Sequence, residues 1–401
     1  MRISTSSLYN DNVATMNTLQ TQIGQTQQQI STGRRLLNAA DDPAAAARAA
    51  ELTQTDMAND QLASNRIAAI NTLSLSESIL QGVTSLLQDA KDVAVEASSG
   101  TMSGVSRKGL AADLQGKLDV LMGLANSTDG LGNYLFSGGQ GGVQPFVSDA
   151  GGVAYKGDDV QRKVQASASR QITTTDTGSD IFMRIRNGNG TFQAAPAATN
   201  GGSGIISQGG VTDPSQYTGQ SYQLTFSMPA ATYTVNDVTA GAPGTLVTTA
   251  PYVSGQSISF NGIQFEVQGT PANGDVFNIS PSTNQSVFET LGNLISALNT
   301  GAVSGVTTAY NQSLKDANAS LSQSLGNVLG VRATMGARLN ELDALQSSGE
   351  DIGLQYKQTL SKIQDTDYNK AITDLTMQQM MLQASQQSFV KVSQMSLFNY
   401  L

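Results

Sequence analysis

Apolar residues recur every seven positions near both ends of the chain. In the last forty residues, Lys362 to Leu401, one series runs Tyr368, Leu375, Leu382 and Phe389, and Ile372, Val392 and Met395 widen it into a stripe. Between these positions stand mostly Gln, Ser, Thr, Asn and Lys, with no Pro or Gly. A seven-residue apolar repeat keeps one side of a helix turned toward a partner helix. A stripe this narrow, flanked by amides, leaves the helix weakly ordered until something covers it. Near the other end, Met16, Ile23, Ile30 and Leu37 also repeat by seven, with Leu19 at the half-step and the same polar flanks. The shared pattern predicts an antiparallel pair that closes the chain on itself. The plain alternative is two ordinary amphipathic core helices, since short heptad runs arise by chance.

Between these ends the pattern divides the chain in order. Residues 1–10 are rich in Ser, Thr and Asn and read as extended or frayed. The first helix then runs to about Leu37. Asn38-Ala-Ala-Asp-Asp-Pro43 breaks it, and Pro43 suits the first turn of a new helix with Asp42 as its N-cap. That second helix extends to about Ser98, with Leu73, Leu80 and Leu87 in heptad register beside Ile70, Val83 and Ala90. A third, about Val105 to Ser127, carries Leu110, Leu114, Leu118, Leu121 and Leu124 on one face. Farther on, Val287 to Leu298 reads as a short helix. A long one starting near Val306 holds Leu314, Leu321, Val328, Met335 and Leu342 in strict register, with Ala317, Val331 and Leu345 at half-steps. Ser347-Ser-Gly349 and Gly353 read as its weak points, before the last helix begins. Four such segments outside the terminal pair predict a bundle.

The stretch Ser137 to Gln285 follows other rules. It holds eight of the nine prolines, 22 of the 40 glycines and twelve of the 22 Phe and Tyr residues. Tyr222, Leu224, Phe226 and Met228 alternate as a strand does, and Ile258-Ser-Phe260 and Ile263-Gln-Phe265-Glu-Val267 flank Asn261-Gly262, a type I′ hairpin turn. Residues 187–210, rich in Gly, Ala and Asn, read as a mobile loop. The expected fold class is therefore multi-domain α + β: a long antiparallel α-helical coiled coil or bundle from the N- and C-terminal halves, with an inserted β-rich domain. The expected boundaries are 1–42 with 363–401 for the terminal helices, 43–136 with 286–362 for the bundle, and 137–285 for the insert.

Composition narrows the chemistry. Net charge is −9 and only 13% of residues are charged, which argues against nucleic acid as a partner. The pairs Arg34-Arg35, Arg107-Lys108 and Arg162-Lys163 read as solvated faces. No run of eighteen apolar residues is present, so no membrane span is expected, and residues 1–30 show no cleavable signal peptide. Cys, His and Trp are absent. Without His or Cys there is no Ser-His-Asp triad, thiolate nucleophile or HExxH zinc site. No P-loop pattern occurs, and Asp365 and Asp367, two apart, read as an exposed helix start rather than a catalytic pair. No enzyme activity, cofactor, metal or small-molecule substrate is expected.

Several stretches carry a resemblance. The break from Asn38 to Ala47 resembles the motif that follows the first helix in bacterial flagellins and their relatives at the hook–filament junction. Ala125-Asn-Ser-Thr-Asp-Gly-Leu-Gly-Asn-Tyr-Leu-Phe-Ser-Gly138 is similar to the junction members rather than to filament flagellin. So are Tyr155-Lys-Gly-Asp158, Gly336-Ala-Arg-Leu-Asn340, Ile363-Gln-Asp-Thr-Asp-Tyr368 and Ser396-Leu-Phe-Asn-Tyr-Leu401. The resemblance covers roughly 1–185 and 250–401 and leaves 187–250 without a motif.

What the resemblance implies is a structural subunit between hook and filament, outside the cell, exported unfolded and uncleaved through the flagellar type III channel. Its implied partners are the hook-side junction protein, flagellin subunits, copies of itself in a ring, and an export chaperone on the C-terminal helix. The terminal helices would form the inner tube and the β-rich insert would face outward. Met16, Ile23, Ile30, Leu37, Tyr368, Leu375, Leu382 and Phe389 are the expected assembly interface. Leu382, Phe389, Val392 and Met395 are the expected chaperone contacts. The absence of Cys suits passage as an unfolded chain. Filament flagellin itself is one alternative. A secreted carbohydrate-binding or adhesive module, motivated by the aromatic residues of 211–280, is another.

Overall fold

A computed structural model describes residues 5–149, 151–304 and 307–394. Two ends of helical chain enclose a strand-rich middle. Helix α1 is Thr5–Thr32, α2 is Pro43–Ala97 and α3 is Gly104–Ala125. Strands β1 (Phe146–Asp149) and β2 (Gly152–Tyr155) form one hairpin, and β3 (Lys163–Ser167) and β4 (Arg170–Thr173) another. A π-helical turn, Ser179–Met183, precedes β5 (Ile185–Arg186). Then come β6 (Phe192–Pro196), β7 (Ile205–Ile206), β8 (Gly210–Val211), β9 (Tyr222–Ser227), β10 (Thr232–Asp237), β11 (Thr245–Pro251), β12 (Ser257–Phe260), β13 (Ile263–Gln268), β14 (Val276–Pro281) and β15 (Asn284–Gln285). Helices α4 (Val287–Ser304), α5 (Thr308–Gln364) and α6 (Tyr368–Gln394) complete the chain.

The chain forms two compact units, 1–65 with 344–401 and 66–343. In the larger one, the heptad leucines are its helical core: Leu73, Leu80, Leu87, Leu314, Leu321, Val328, Met335 and Leu342 are all buried. Helix α3 contributes Ala111, Leu114, Leu121 and Ala125 to the same kind of interior. Its start is capped by Ser103, whose hydroxyl accepts from the Ser106 N–H at 3.1 Å. The strand-rich part has its own core. An antiparallel sheet runs β11-β10-β9-β14-β6, and a smaller one runs β12-β13-β7 with β8 also on β13. Thirteen buried side chains fill the space, among them Tyr222, Phe226, Phe265 and Phe277. The aromatic residues that motivated a glycan-binding surface are therefore largely strand interior. Phe260 pairs with Ile263 across Asn261-Gly262, where both residues have positive φ, as a type I′ turn needs.

Five local expectations change. Residues 5–10 already belong to α1 and are helical rather than extended; residues 1–4 lie outside the described residues. Helix α1 stops at Thr32, not Leu37, because Gly33 turns left-handed at φ +69°. Residues 187–210 are not one loop: they hold β6 and β7 and a hydrogen-bonded neck in which the Ser282 Oγ donates to the Asn187 carbonyl at 2.6 Å. Helix α5 passes through Gly349 and Gly353 unbroken, and both are buried. A Cβ at Gly353 would lie 3.1 Å from the Asn59 Nδ2, which itself donates to the Gly349 carbonyl at 2.9 Å. The close approach of α2 here outweighs the roughly 1 kcal/mol that glycine costs in a helix. Arg107, finally, is no solvated charge. It is buried, donates to the carbonyls of Gly301 and Met102, and stacks 5.3 Å from the Tyr310 ring centre.

Candidate functional site: the paired terminal helices

Helices α1 and α6 lie side by side and antiparallel. Tyr9 meets Phe389 with ring centres 5.0 Å apart, while Thr26, far along α1, donates to the Gln378 Oε1 at 3.1 Å. On α1 the covered positions include Met16, Leu19, Ile23, Thr26 and Ile30, at alternating steps of three and four. On α6 they include Ala371, Leu375, Gln378, Leu382, Ser385 and Phe389. Large apolar residues thus alternate with a small or polar one at each half-step of α6. This is why the seam is narrow: only Thr26 and Ala371 are fully buried among its described residues, and the leucines and isoleucines are half-covered.

The expected interface residues are partly gathered. Met16, Ile23, Ile30, Leu375, Leu382 and Phe389 lie on the shared seam. Leu37 lies outside α1, in the bend, half-buried beside Ala46, Ala49 and Ala50 of α2. Its N–H and that of Asn38 donate to Asp41 Oδ2, which fixes the bend. Tyr368 is half-exposed at the first turn of α6, its hydroxyl near the space that Gly33 leaves open. Ile372 does not widen the stripe: it is 53% exposed, one residue past the buried Ala371 and so about 100° around the helix. The side chain of Val392 and all of Met395 fall outside the described residues.

Sequence reasoning missed how the pair is fastened at its bend. The backbone N–H of Arg35 donates to the Gln364 carbonyl at 2.7 Å, and that of Thr366 to the Gly33 carbonyl at 2.9 Å. Arg34 and Asp365 form an isolated antiparallel β-bridge. Here α5 ends and α6 begins, and Asp367 caps the new helix by accepting from the N–H groups of Asn369 and Lys370. The motif Ile363 to Tyr368 is thus a hinge between helices. Asp365 and Asp367, read as an exposed helix start, mark this junction, and Asp367 is the cap. Away from α1, α6 shows apolar side chains to solvent: Ile372, Met377, Met380 and Met381. Among the described residues, no three His, Cys, Asp or Glu side chains cluster as a metal site, and no helix is long and apolar enough to cross a membrane.

Parts of three other motifs are held inside the larger unit, and Ser396–Leu401 lies outside the described residues. Leu135 and Phe136 are buried, and Phe136 stacks edge-on with Phe182, 5.7 Å between ring centres. The Tyr155 hydroxyl donates to the carbonyls of Phe136 (3.1 Å) and Asp158 (2.9 Å). Burial, reinforced by the charges of Asp159 and Asp158, pushes its ionisation up to about 12, so it stays a donor. Asn126 ends α3 and pairs with the Phe146 backbone, giving and receiving a bond of 2.9 Å each. Arg338, within Gly336 to Asn340, donates to Asp176 Oδ2 at 2.7 Å. These residues hold the larger unit together and are not a surface.

Comparison with known proteins follows the same division. Residues 3–140 match the bacterial flagellin N-terminal helical region, and residues 196–281 match the D2-like domain of flagellar hook-associated protein 1, which covers most of the stretch without a motif. Helical ends that pair and a strand-rich insert between helical halves are the plan of a flagellin-like structural protein of the bacterial flagellum. Flagellar hook-associated protein 3 of Salmonella typhimurium is 31% identical over 401 residues, 99% of each chain, and that of Escherichia coli is 30% identical over 400 residues, again 99% of each. The solved hook-associated protein-3 of Legionella pneumophila is 31% identical, covers 78% of this chain and 98% of its own, and superposes with a TM-score of 0.71. Flagellin B of Vibrio cholerae is more distant, at 24% over 368 residues, 89% of this chain and 87% of its own. The chain belongs to the flagellar hook-associated protein 3 family.

Proposed function

We propose that this chain joins the flagellar hook to the filament as a structural subunit, outside the cell, with the α1–α6 pair as its assembly element. The name of the solved Legionella pneumophila relative, a flagellar junction protein, supports the reading. The observation that carries it is the seam itself: half-covered leucines between the helices, and Ile372, Met377 and Met380 bare on the other sides of α6. Apolar surface of this kind is stabilised by neighbours. Export through the flagellar type III channel, ring assembly with copies of itself, and contacts with the hook-side junction protein and flagellin belong to the same proposal. So does the division into inner-tube helices (1–42, 363–401), bundle (43–136, 286–362) and outer insert (137–285).

An export chaperone would take Leu382, Phe389, Val392 and Met395 on the same helix. Since Leu382 and Phe389 face α1 in the folded pair, chaperone and α1 would compete for one stripe. The test is incorporation. Leu382→Asp is expected to abolish incorporation at hook tips and motility, because a charge on the seam goes unpaired. Gln379→Asp, one position off the stripe and exposed, should leave both near wild type. Equal effects of the two would remove the seam from the assembly role. Filament flagellin, the second reading, is favoured by the match over 3–140. Long filaments grown by the purified chain alone would decide for it.

A further inference from the structure

Within the 66–343 unit, the strand-rich part is seated on α5 by three side chains that meet at one carboxylate oxygen. Gln312 of α5 pairs with a strand as another strand would: its Oε1 accepts from the Ile206 N–H at 2.9 Å and its Nε2 donates to the Ile206 carbonyl at 3.2 Å. Gln208, between β7 and β8, treats Ala194 of β6 the same way, accepting at 3.1 Å and donating at 3.1 Å. Both amides also donate to Asp316 Oδ1, Gln312 at 2.8 Å and Gln208 at 2.6 Å. Gln312 is only 2% exposed. Asp316 is thus the point where α5, β6 and β7 are joined.

No counter-charge sits on this carboxylate. Among the described residues Asp316 makes no ion pair. The cation it feels is Lys315, its neighbour on α5. From α4, Glu289 lines the same polar groove of about 560 Å³, as does Tyr310 of α5. Strands β6 to β14 supply no cation, because no Lys or Arg occurs from Phe192 to Pro281, and Arg186 of β5 is engaged on the Ser282 carbonyl at 2.7 Å. An ionised carboxylate in such a place is poorly compensated, and its neutral form fits better.

We propose that this seat is a pH-sensitive latch: with Asp316 protonated the strand-rich part stays closed on α5, and with Asp316 ionised the seat opens more often. Burial pushes the Asp316 carboxyl up from 3.8 to about 6, against the amide donors of Gln312 and Gln208 and the charge of Lys315. An acid raised in the closed state holds its proton more tightly there than in the open one. Closure is therefore strongest below 3.8 and weakens as pH rises through about 6. If opening restores the ordinary value, the opening constant rises about tenfold between roughly pH 5 and pH 7.5. The latch belongs to the 66–343 unit and uses no residue of the α1–α6 seam, so its failure and that of the hook-to-filament reading are separable.

Hydrogen exchange of the full-length chain, followed residue by residue and corrected for the intrinsic pH dependence of exchange, tests it. The Ile206 and Ala194 amides should lose about tenfold in protection from roughly pH 5 to pH 7.5. Those of Leu224 and Val235, inside the main sheet, should stay level. In Asp316→Asn, which keeps an accepting oxygen and cannot ionise, the loss should vanish. A level profile at Ile206 and Ala194 in the wild type, a parallel loss at Leu224 and Val235, or a slope that persists in Asp316→Asn would each overturn the latch. Should Asp316→Asn not fold, the wild-type profile still decides.

Discussion

The terminal helix pair and the strand-rich part of the larger unit are built from one chain by opposite means. The strand-rich core buries thirteen side chains, five of them Phe or Tyr. The terminal pair, among its described residues, buries Thr26 and Ala371. Aromatic side chains each remove some 150–250 Å² from water. Threonine and alanine contribute far less, and Thr26 carries a hydroxyl that needs its bond to Gln378. One region therefore holds its shape from within, and the other draws its order from what covers it. That difference sets a scale for breaking either region.

The largest effect belongs to the strand core. Phe226 touches Tyr252 and Phe277 edge-on, with ring centres 4.9 and 5.7 Å apart, and is fully buried. Phe226→Ala should cost about 3–5 kcal/mol, cavity included. Calorimetry of the isolated chain would show it as a lower melting temperature for the larger unit. A loss under about 1 kcal/mol would mean that this core is less self-sufficient than its burial implies.

A smaller effect, of the opposite sign, is expected at the seam. Thr26→Val with Gln378→Leu replaces a polar layer of the pair by an apolar one. A buried polar pair exchanged for apolar groups of similar shape is neutral or stabilising, and the added contact should contribute about 1–2 kcal/mol to the free pair. Circular dichroism of the soluble chain should show helicity surviving to higher temperature. Incorporation at hooks should not improve to match, because the polar layer, on the proposed function, keeps the free ends loosely held. Unchanged helicity would place the weakness of the pair elsewhere than in its polar half-steps.

How much of this could be read from the residues follows the same contrast. The repeats Leu73, Leu80, Leu87 and Leu314, Leu321, Val328, Met335, Leu342 are buried helix faces, as their spacing requires. The Asn261-Gly262 hairpin was equally plain, since few other sequences accept two positive φ values. What stayed hidden was polar side chains that take the place of backbone partners. Asn126 on Phe146, Asn187 on Thr283, Asn200 on Val276 and Gln312 on Ile206 each replace a strand or a cap, yet an amide in a sequence reads only as a loop or a solvated face. Segment 187–210 was misread for that reason, and Arg107 because its partners are carbonyls rather than acids. Of the expected interface, Met16, Ile23, Ile30, Leu375, Leu382 and Phe389 fall on the α1–α6 seam, while Leu37 and Tyr368 do not. The helix start at Asp365 and Asp367 was legible too, while the weak points expected at Gly349 and Gly353 were not breaks, because the close approach of Asn59 is invisible in the residues.

The smallest expected effect tests that boundary. Asp367 accepts from the Asn369 and Lys370 N–H groups at 3.0 and 3.1 Å, which ties down two otherwise unmatched donors at the start of α6. Asp367→Ala should cost about 1 kcal/mol of helix stability, the usual value of an N-cap carboxylate. The loss should stay local, because α6 has little buried surface through which to pass it on. Amide protection should fall over the first two turns of α6, around Ala371 and Leu375, and remain level at Phe226 and Phe277. If protection instead fell evenly along α5 and α6, the two helices would behave as one continuous element. The hinge at Arg34–Asp365 would then be a bend in a single cooperative unit, and the contrast between a self-supporting core and a dependent terminal pair would have to be redrawn to include the end of α5.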